Sequence, residues 1–381
     1  MNTQKNNKRF GKTRKKESTP VKMAYISKDV IDAIRNANAT GGYLFGRKLG
    51  NENVAQILGL NNSLRGIQLD CLGRWEKQTK SKKGLSLIVS NNDVMCFDKI
   101  ALEIFDINDY NIRNRSEILS QNVNSKKALL VSCGSVNSRI GYELAKHGIE
   151  ITVTDPDKLD IANPYRWGIQ EPPEFFIGRP KTEVFKEAII RNIPNAKITA
   201  FTKDFCQDIV FFDNYVDFWK PDLIIIATDT EDSRRDVNSI GILKKIPVLY
   251  VALSDKAESG QIIFISGTKE DPCYLCFKGN NEEHPFTLRS TNKQYGIDTT
   301  QEQRAVPALS IDINIISDIA TKLAMVILAG EDVTQYLKQF DNKGYIMWFS
   351  TKPDSWVLED AFQKLIAILE KNPSCPVCGD K

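Results

Sequence analysis

The sequence predicts an α/β protein whose larger part is built on a mixed, mostly parallel sheet, preceded by a smaller α/β domain. Three observations predict this. Short apolar strands alternate with helix-like stretches from Lys127 onward, the pattern of successive βαβ units. A turn of small residues, Ser132-Cys133-Gly134-Ser135, follows the first of those strands and opens a helix. The second strand ends in Asp155-Pro156-Asp157, an acidic pair about 20 residues beyond the turn.

The elements follow in order. Residues 1–20 hold Lys5, Lys8, Arg9, Lys12, Arg14, Lys15 and Lys16 with almost nothing apolar. Such a run cannot build a core and is expected to be a mobile tail. Residues 21–110 form the smaller domain, with an amphipathic stretch at Ile26–Asn36 and apolar runs at Val54–Leu60 and Leu85–Val89. The larger domain is expected over 111–381. Its strands are read at Ala128–Val131, Ile151–Thr154, Ile198–Phe201, Leu223–Ala227 and Val248–Ala252. Its helices are read at Ser135–Gly148, with Ile140, Leu144 and Ala145 on one face, and at Lys181–Asn192.

Composition excludes some classes. The 381 residues are 41% hydrophobic and 26% charged, as in an ordinary soluble protein. A net charge of +3 names no partner, and a nucleic-acid role is not expected. No apolar run approaches the ~20 residues of a membrane span, and no apolar signal core stands near Met1. A cytoplasmic location follows as the expectation, so the eight cysteines call for a metal or catalytic account before disulfides.

The turn at Gly134 and Ser135 suits phosphates: small residues admit the backbone, and a helix N-terminus offers free N–H groups. Asp155 suits a ribose hydroxyl. A plain dinucleotide oxidoreductase would need nothing more, yet more follows: Asn163-Pro164-Tyr165-Arg166, Gly178-Arg179-Pro180-Lys181, and Thr228-Asp229 with Arg234 and Asn238. In that order the set resembles the ThiF/MoeB/HesA and ubiquitin-activating family, from Arg115 onward. The resemblance implies a Rossmann-like adenylation domain that uses ATP and Mg²⁺. By it, Asp155 would hold the ribose with Asp157 beside it. Asn163, Arg166 and Lys181 would face the triphosphate, Asp229 would hold magnesium, and Arg115 would be an arginine finger reaching into a partner subunit of a homodimer. Four departures stand out: Ser132 and Asn137 replace family glycines, Trp167 stands for Gln, and Thr230 stands for Asn. The physical logic agrees with the assignment. A carboxylate and an α-phosphate are like-charged, so cations and a metal must gather where they meet, and an ionised carboxylate needs no base. His147 and His284 are accordingly read as structural or solvated.

Two knuckles, Cys273-Tyr274-Leu275-Cys276 and Cys375-Pro376-Val377-Cys378, give the four thiolates of a closed, structural Zn²⁺ site. The stretch from Lys278 to Ala308, where ubiquitin-activating relatives carry a nucleophile, contains no cysteine. Cys71, Cys96, Cys133 and Cys206 are read as small hydrophobes, with a thioester on Cys206 a minority alternative.

In the smaller domain, Thr40–Gly46 resembles the opening of a JAB/JAMM metalloprotease. Leu72–Gln78 falls where that family has H-x-H, and Ser90-Asn91-Asn92-Asp93 resembles its S-x-x-D. Both histidines are absent, so the domain is either an inactive JAB-like module or an unrelated α/β unit. The expected function is adenylation of the C-terminal glycine of a ubiquitin-like or sulfur-carrier protein, passed on to a conjugating enzyme or sulfur donor. The alternatives are a short peptide's C-terminus, as in microcin-maturing relatives, or a non-catalytic scaffold.

Overall fold

In a computed structural model, the structure describes residues 21–49, 54–61, 63–64, 67–77, 85–89, 94–96, 100–105, 123, 125–161, 163–169, 176–193, 196–278, 308–331, 344–355 and 358–379. Arg115, His284, Ser90–Asp93 and the basic tail lie outside them. The chain divides into two compact units, Met1–Ile112 and Arg113–Lys381.

The first unit opens with β1 (Met23–Ser27) and α1 (Lys28–Asn36). The strand takes the first two residues of the expected amphipathic run, because the Ser27 hydroxyl accepts the Val30 N–H at 3.4 Å and caps the helix. Lys77 Nζ donates to the Arg35 and Ala37 carbonyls at the other end, placing a cation against the helix C-terminus. Then come β2 (Gly41–Leu49), β3 (Val54–Gly59), β4 (Ser63–Leu64), β5 (Ile67–Gln68), β6 (Asp70–Glu76), β7 (Ser86–Val89), β8 (Val94–Cys96) and β9 (Ala101–Phe105). Seven of these form one mixed sheet, ordered β8-β7-β6-β2-β3-β1-β9, and β4 pairs with β5. Ala24, Ile26, Val30, Ile31, Ile34, Ile57 and Trp75 share its core.

The second unit runs β10 (Lys127–Val131), α2 (Ser135–Lys146), β11 (Glu150–Thr154), α3 (Lys181–Asn192), β12 (Ile198–Phe201), α4 (Ile209–Trp219), β13 (Leu223–Ile226), α5 (Glu231–Lys244), β14 (Val248–Leu253), β15 (Ser259–Ile265), α6 (Tyr274–Lys278), α7 (Ser310–Ala329), β16 (Gly344–Ser350) and β17 (Lys364–Ile368). One eight-stranded sheet has the order β12-β11-β10-β13-β14-β15-β16-β17. Its first five strands are parallel and the remaining pairings antiparallel. Strand β13 reads Leu-Ile-Ile-Ile and is buried throughout, as a parallel strand covered on both faces must be. One apolar layer joins α2, α3 and α7 to the sheet, and another lies with α4 and α5. Strand order reverses between β10 and β13, and in open α/β sheets the crevice outside such a reversal is where ligands bind.

Candidate functional site: a nucleotide crevice and a four-thiol cluster

The crevice is assembled from the C-terminal ends of β10, β11 and β13. After β10 the chain turns through Ser132, Cys133 and Gly134, and Gly134 caps α2 with no side-chain bond to the first turn. The N–H groups there are free of a side-chain cap and suit an anion. Among the described residues nothing lies within 4 Å of where a Cβ on Gly134 would stand.

Asp155, 5% exposed, is held from two sides. Its Oδ2 accepts the Cys133 N–H at 2.6 Å and its Oδ1 the Asp157 N–H at 2.8 Å. Burial pushes its carboxyl up, while Lys181 and these two N–H groups pull it back. Lys181 is the first residue of α3. Gly178 precedes it at φ +82°, a turn that suits glycine, and Pro180 leads the chain into the helix. Lys181 Nζ lies 2.7 Å from Asp157 Oδ2 and 4.0 Å from Asp155 Oδ1. Burial works against its charge, but the two carboxylates outweigh it and the ammonium is held above its ordinary value.

The Asn163–Arg166 turn is bound to the same edge. Asn163 Oδ1 accepts the Asp160 N–H at 3.0 Å, and its carbonyl accepts from Arg166 and Trp167. The Trp167 indole N–H donates to the Cys133 carbonyl at 2.9 Å, and the Gly168 N–H to Ser138 Oγ at 2.8 Å. Trp167 therefore anchors the arginine's turn onto the phosphate turn, packed against Phe176 and Phe185. Asp229, exposed, follows β13 by three residues. Ser132 Oγ ties this end to the turn by donating to the Ala227 carbonyl at 2.9 Å. The structure thus brings together Asp155, Asp157 and Lys181 beside the turn before α2, with the Asn163–Arg166 turn bound to that turn through Trp167 and Asp229 following the neighbouring strand β13. The contributions of Ser132, Asn137 and Trp167 were not legible, because the sequence shows a departure from a pattern and not the partner the new side chain finds.

Arg234 and Asn238 do not line the crevice as ligands would. Buried Arg234 donates to the Thr228 carbonyl at 2.8 Å. Asn238 Oδ1 accepts the N–H of Tyr274 at 2.9 Å, and the Tyr274 hydroxyl donates to Glu231 Oε2 at 3.0 Å. They brace the Asp229 segment against the first cysteine knuckle.

Cys273, Cys276, Cys375 and Cys378 bring their sulfurs within 4.8 Å of one another. Sulfurs of Cys273 and Cys375 are 3.6 Å apart, and those of Cys276 and Cys378 3.3 Å. Tetrahedral Zn–S bonds of about 2.3 Å need sulfurs spaced close to this. The cluster could hold zinc with no position left for a substrate. Cys133 is buried, its thiol pushed up first by that burial and then by Asp155. Cys206 is half-buried with its thiol pushed up to about 12 by burial, and its sulfur lies 3.4 Å from Ser233 Oγ. Neither is prepared to be a nucleophile. His147 caps the end of α2, and burial lowers it.

A doubly covered, mostly parallel sheet with an open anion turn and a Lys–Asp–Asp cluster at its switch point defines a Rossmann-like nucleotide-binding domain. More narrowly, the chain belongs to the ThiF family, whose pattern matches residues 108–375. Among curated proteins it is similar to ubiquitin-like modifier-activating enzyme 6 of Mus musculus, 29% identical over 140 residues, and to that of Homo sapiens, 28% identical. Those matches cover 34% and 35% of this chain and 13% of either relative, so the chain spans a small part of their length. Among solved structures, that of E. coli MccB superposes with a TM-score of 0.51 at 16% identity, covering 72% of this chain and 73% of that one, a likeness of fold. No helix among the described residues is long and apolar enough to cross a membrane.

Proposed function

We propose that this chain is an adenylating enzyme that activates the C-terminal carboxylate of a ubiquitin-like or sulfur-carrier protein with ATP. The observation that carries this is the partly buried Lys181, held between buried Asp155 and exposed Asp157 beside an uncapped helix N-terminus. A dinucleotide oxidoreductase has no use for that set. The carboxylate oxygen attacks the α-phosphorus, the bond from that phosphorus to the bridging oxygen breaks, and pyrophosphate leaves with the electron pair.

Each residue then has a task. Asp155 keeps its carboxylate fixed by two backbone N–H groups and receives ribose hydroxyls on its remaining lone pairs. Lys181 exchanges Asp157 for phosphate oxygens, and Asp157 keeps the ammonium charged and in place until then. Asn163 holds the turn that presents Arg166 to the phosphates. The helix N-terminus at Gly134 and Ser135 faces the same charge. Asp229 would hold Mg²⁺, which would supply charge neutralisation at the phosphate under attack. Arg115 would serve the site of a second subunit in a homodimer, and the four cysteines would hold Zn²⁺ for structure alone. The acyl-adenylate passes directly to an acceptor cysteine or sulfur donor, in a cytoplasmic setting.

ATP–pyrophosphate exchange tests this, with a small protein ending in glycine as the partner. Asp229→Asn, Arg166→Ala and Lys181→Ala should each lower exchange on the order of 10²-fold or more. Exchange supported only by a short peptide would move the substrate to the second reading, which the C-x-x-C-G knuckle and the cysteine-free 278–308 stretch favour. Absence of exchange with either would leave a nucleotide-binding scaffold.

A further inference from the structure

Two residues at and just after the turn before α2 carry locally unfavourable features. Ser132 has φ +85°, a region that side chains rarely enter. Asn137, in the first turn of α2, is wholly buried, and its Oδ1 accepts no hydrogen bond from any described residue. Orphaned buried acceptors are uncommon. Two such features within six residues, at a ligand crevice, ask for a local function.

What they hold together answers this. At the switch point the Val131 carbonyl, last of β10, accepts the Ala227 N–H at 3.3 Å, and Ser132 and Asn137 add bonds around this junction. Asn137 Nδ2 donates to the Val131 carbonyl at 2.9 Å and the Ser132 carbonyl at 3.2 Å, and reaches the Ile225 carbonyl at 3.4 Å. Ser132 donates its N–H to the Thr154 carbonyl at 2.9 Å and its Oγ to the Ala227 carbonyl at 2.9 Å. Two residues thereby stitch three strand ends: both side chains join β10 to β13, and the Ser132 backbone N–H reaches β11. Thr154 immediately precedes Asp155, Ala227 stands two residues before Asp229, and Ser132 leads into Gly134.

We propose that Ser132 and Asn137 are positioning residues that form one clamp across the ends of β11, β10 and β13. It fixes the separation of the ribose acid, the phosphate turn and the metal-holding acid before a nucleoside triphosphate arrives. Where glycines would let this turn adjust around its ligand, these side chains set it in advance. The left-handed backbone of Ser132 is what aims its hydroxyl at β13 and its N–H at β11 together. This deepens the adenylation reading and rests on it for the roles of Asp155 and Asp229.

The clamp is tested by calorimetric binding of Mg²⁺ with α,β-methylene-ATP, alongside exchange kinetics and the thermal midpoint. Ser132→Ala keeps the backbone and removes the hydroxyl. Ser132→Gly removes both the hydroxyl and the strain. Asn137→Gly restores small size at the helix start. All three should weaken analogue binding about five- to tenfold, the loss expected for one hydrogen bond, and raise the KM for ATP with a smaller change in kcat. Ser132→Gly should keep or raise the thermal midpoint, which separates positioning from folding. The double variant Ser132→Ala/Asn137→Gly should lose less than the product of the single losses, because the two act as a unit. Should Ser132→Ala and Ser132→Gly bind the analogue as the unaltered protein does, the clamp is wrong and Ser132 is only a strained turn residue. Strictly multiplicative losses would likewise overturn a single clamp. Failure of adenylation reads differently: the unaltered protein would bind the analogue, the variants would bind it less, and none would exchange pyrophosphate. No nucleotide binding by the unaltered protein would sink both.

Discussion

Cys206 shows how an environment decides what a residue type alone leaves open. A thiol held at about 12 is ionised in only about one molecule in 10⁴ at pH 8, and only the thiolate attacks. Iodoacetamide at pH 8 should therefore label exposed Cys71 and leave Cys206 untouched, as read by peptide mass spectrometry. Labelling of Cys206 should climb about tenfold per pH unit. Cys206→Ala should leave pyrophosphate exchange unchanged and remove no dithiothreitol-labile adduct; loss of such an adduct would restore the thioester reading. At this scale the site was half legible. Asp155, Lys181, Asp229 and the four cysteines can be named as candidates from sequence because the chemistry proposed for them is carried by their own side chains. Ser132, Asn137 and Trp167 cannot, because each acts through a carbonyl that only the folded chain brings near. The surroundings of Cys206 are not visible in sequence either, because its hydroxyl neighbour Ser233 lies 27 positions away.

Helix α5 is the element that joins the two sites. Its first turn holds Glu231, two residues after Asp229, and its third turn holds Asn238, whose carbonyl oxygen receives the Tyr274 N–H beside Cys273. Tyr274 stacks on Tyr250 with centroids 4.6 Å apart, and Lys278 lies 3.4 Å from Glu231. Asn238→Ala would strand the buried Tyr274 N–H and should cost about 1–3 kcal/mol in urea unfolding. Asn214→Ala, on the outer face of α4, should stay within about 0.5 kcal/mol. Equal losses would show that the brace contributes nothing special. Among the elements, the parallel strands were legible almost to the residue, because continuous apolar runs bounded by turns leave little choice. Helix α7 went unread. Its N-cap is Leu309, without a capping side chain, and its burial extends around much of its circumference, which blurs the period. The antiparallel strands β15 to β17 were equally silent: β15 is buried at all seven positions, so it does not alternate.

At the scale of the whole chain, the four-thiol cluster joins Cys273 and Cys276, ahead of α7, to Cys375 and Cys378, after β17. Replacing Cys375 with Ser should drop the bound zinc from about one per chain toward zero by elemental analysis and lower the thermal midpoint, because a closed thiolate site contributes folding energy directly. A strong chelator should do the same to the unaltered protein. A midpoint that ignored both would mean that the sulfurs pack as ordinary apolar groups.

With an ion in place, Cys273 and Cys375 are cross-linked over 102 positions, and α7, β16 and β17 lie inside the resulting ring. Strand β17 is the outermost of its sheet, with Leu365 and Ile368 about half exposed. Opening the ring would leave that border anchored from one side only. Amide deuterium uptake should then quicken in residues 344–368 well before it changes in β10 to β13. Zinc starvation would thus expose a sticky border on an otherwise folded protein, and shorten its life by proteolysis and aggregation before its nucleotide chemistry was touched.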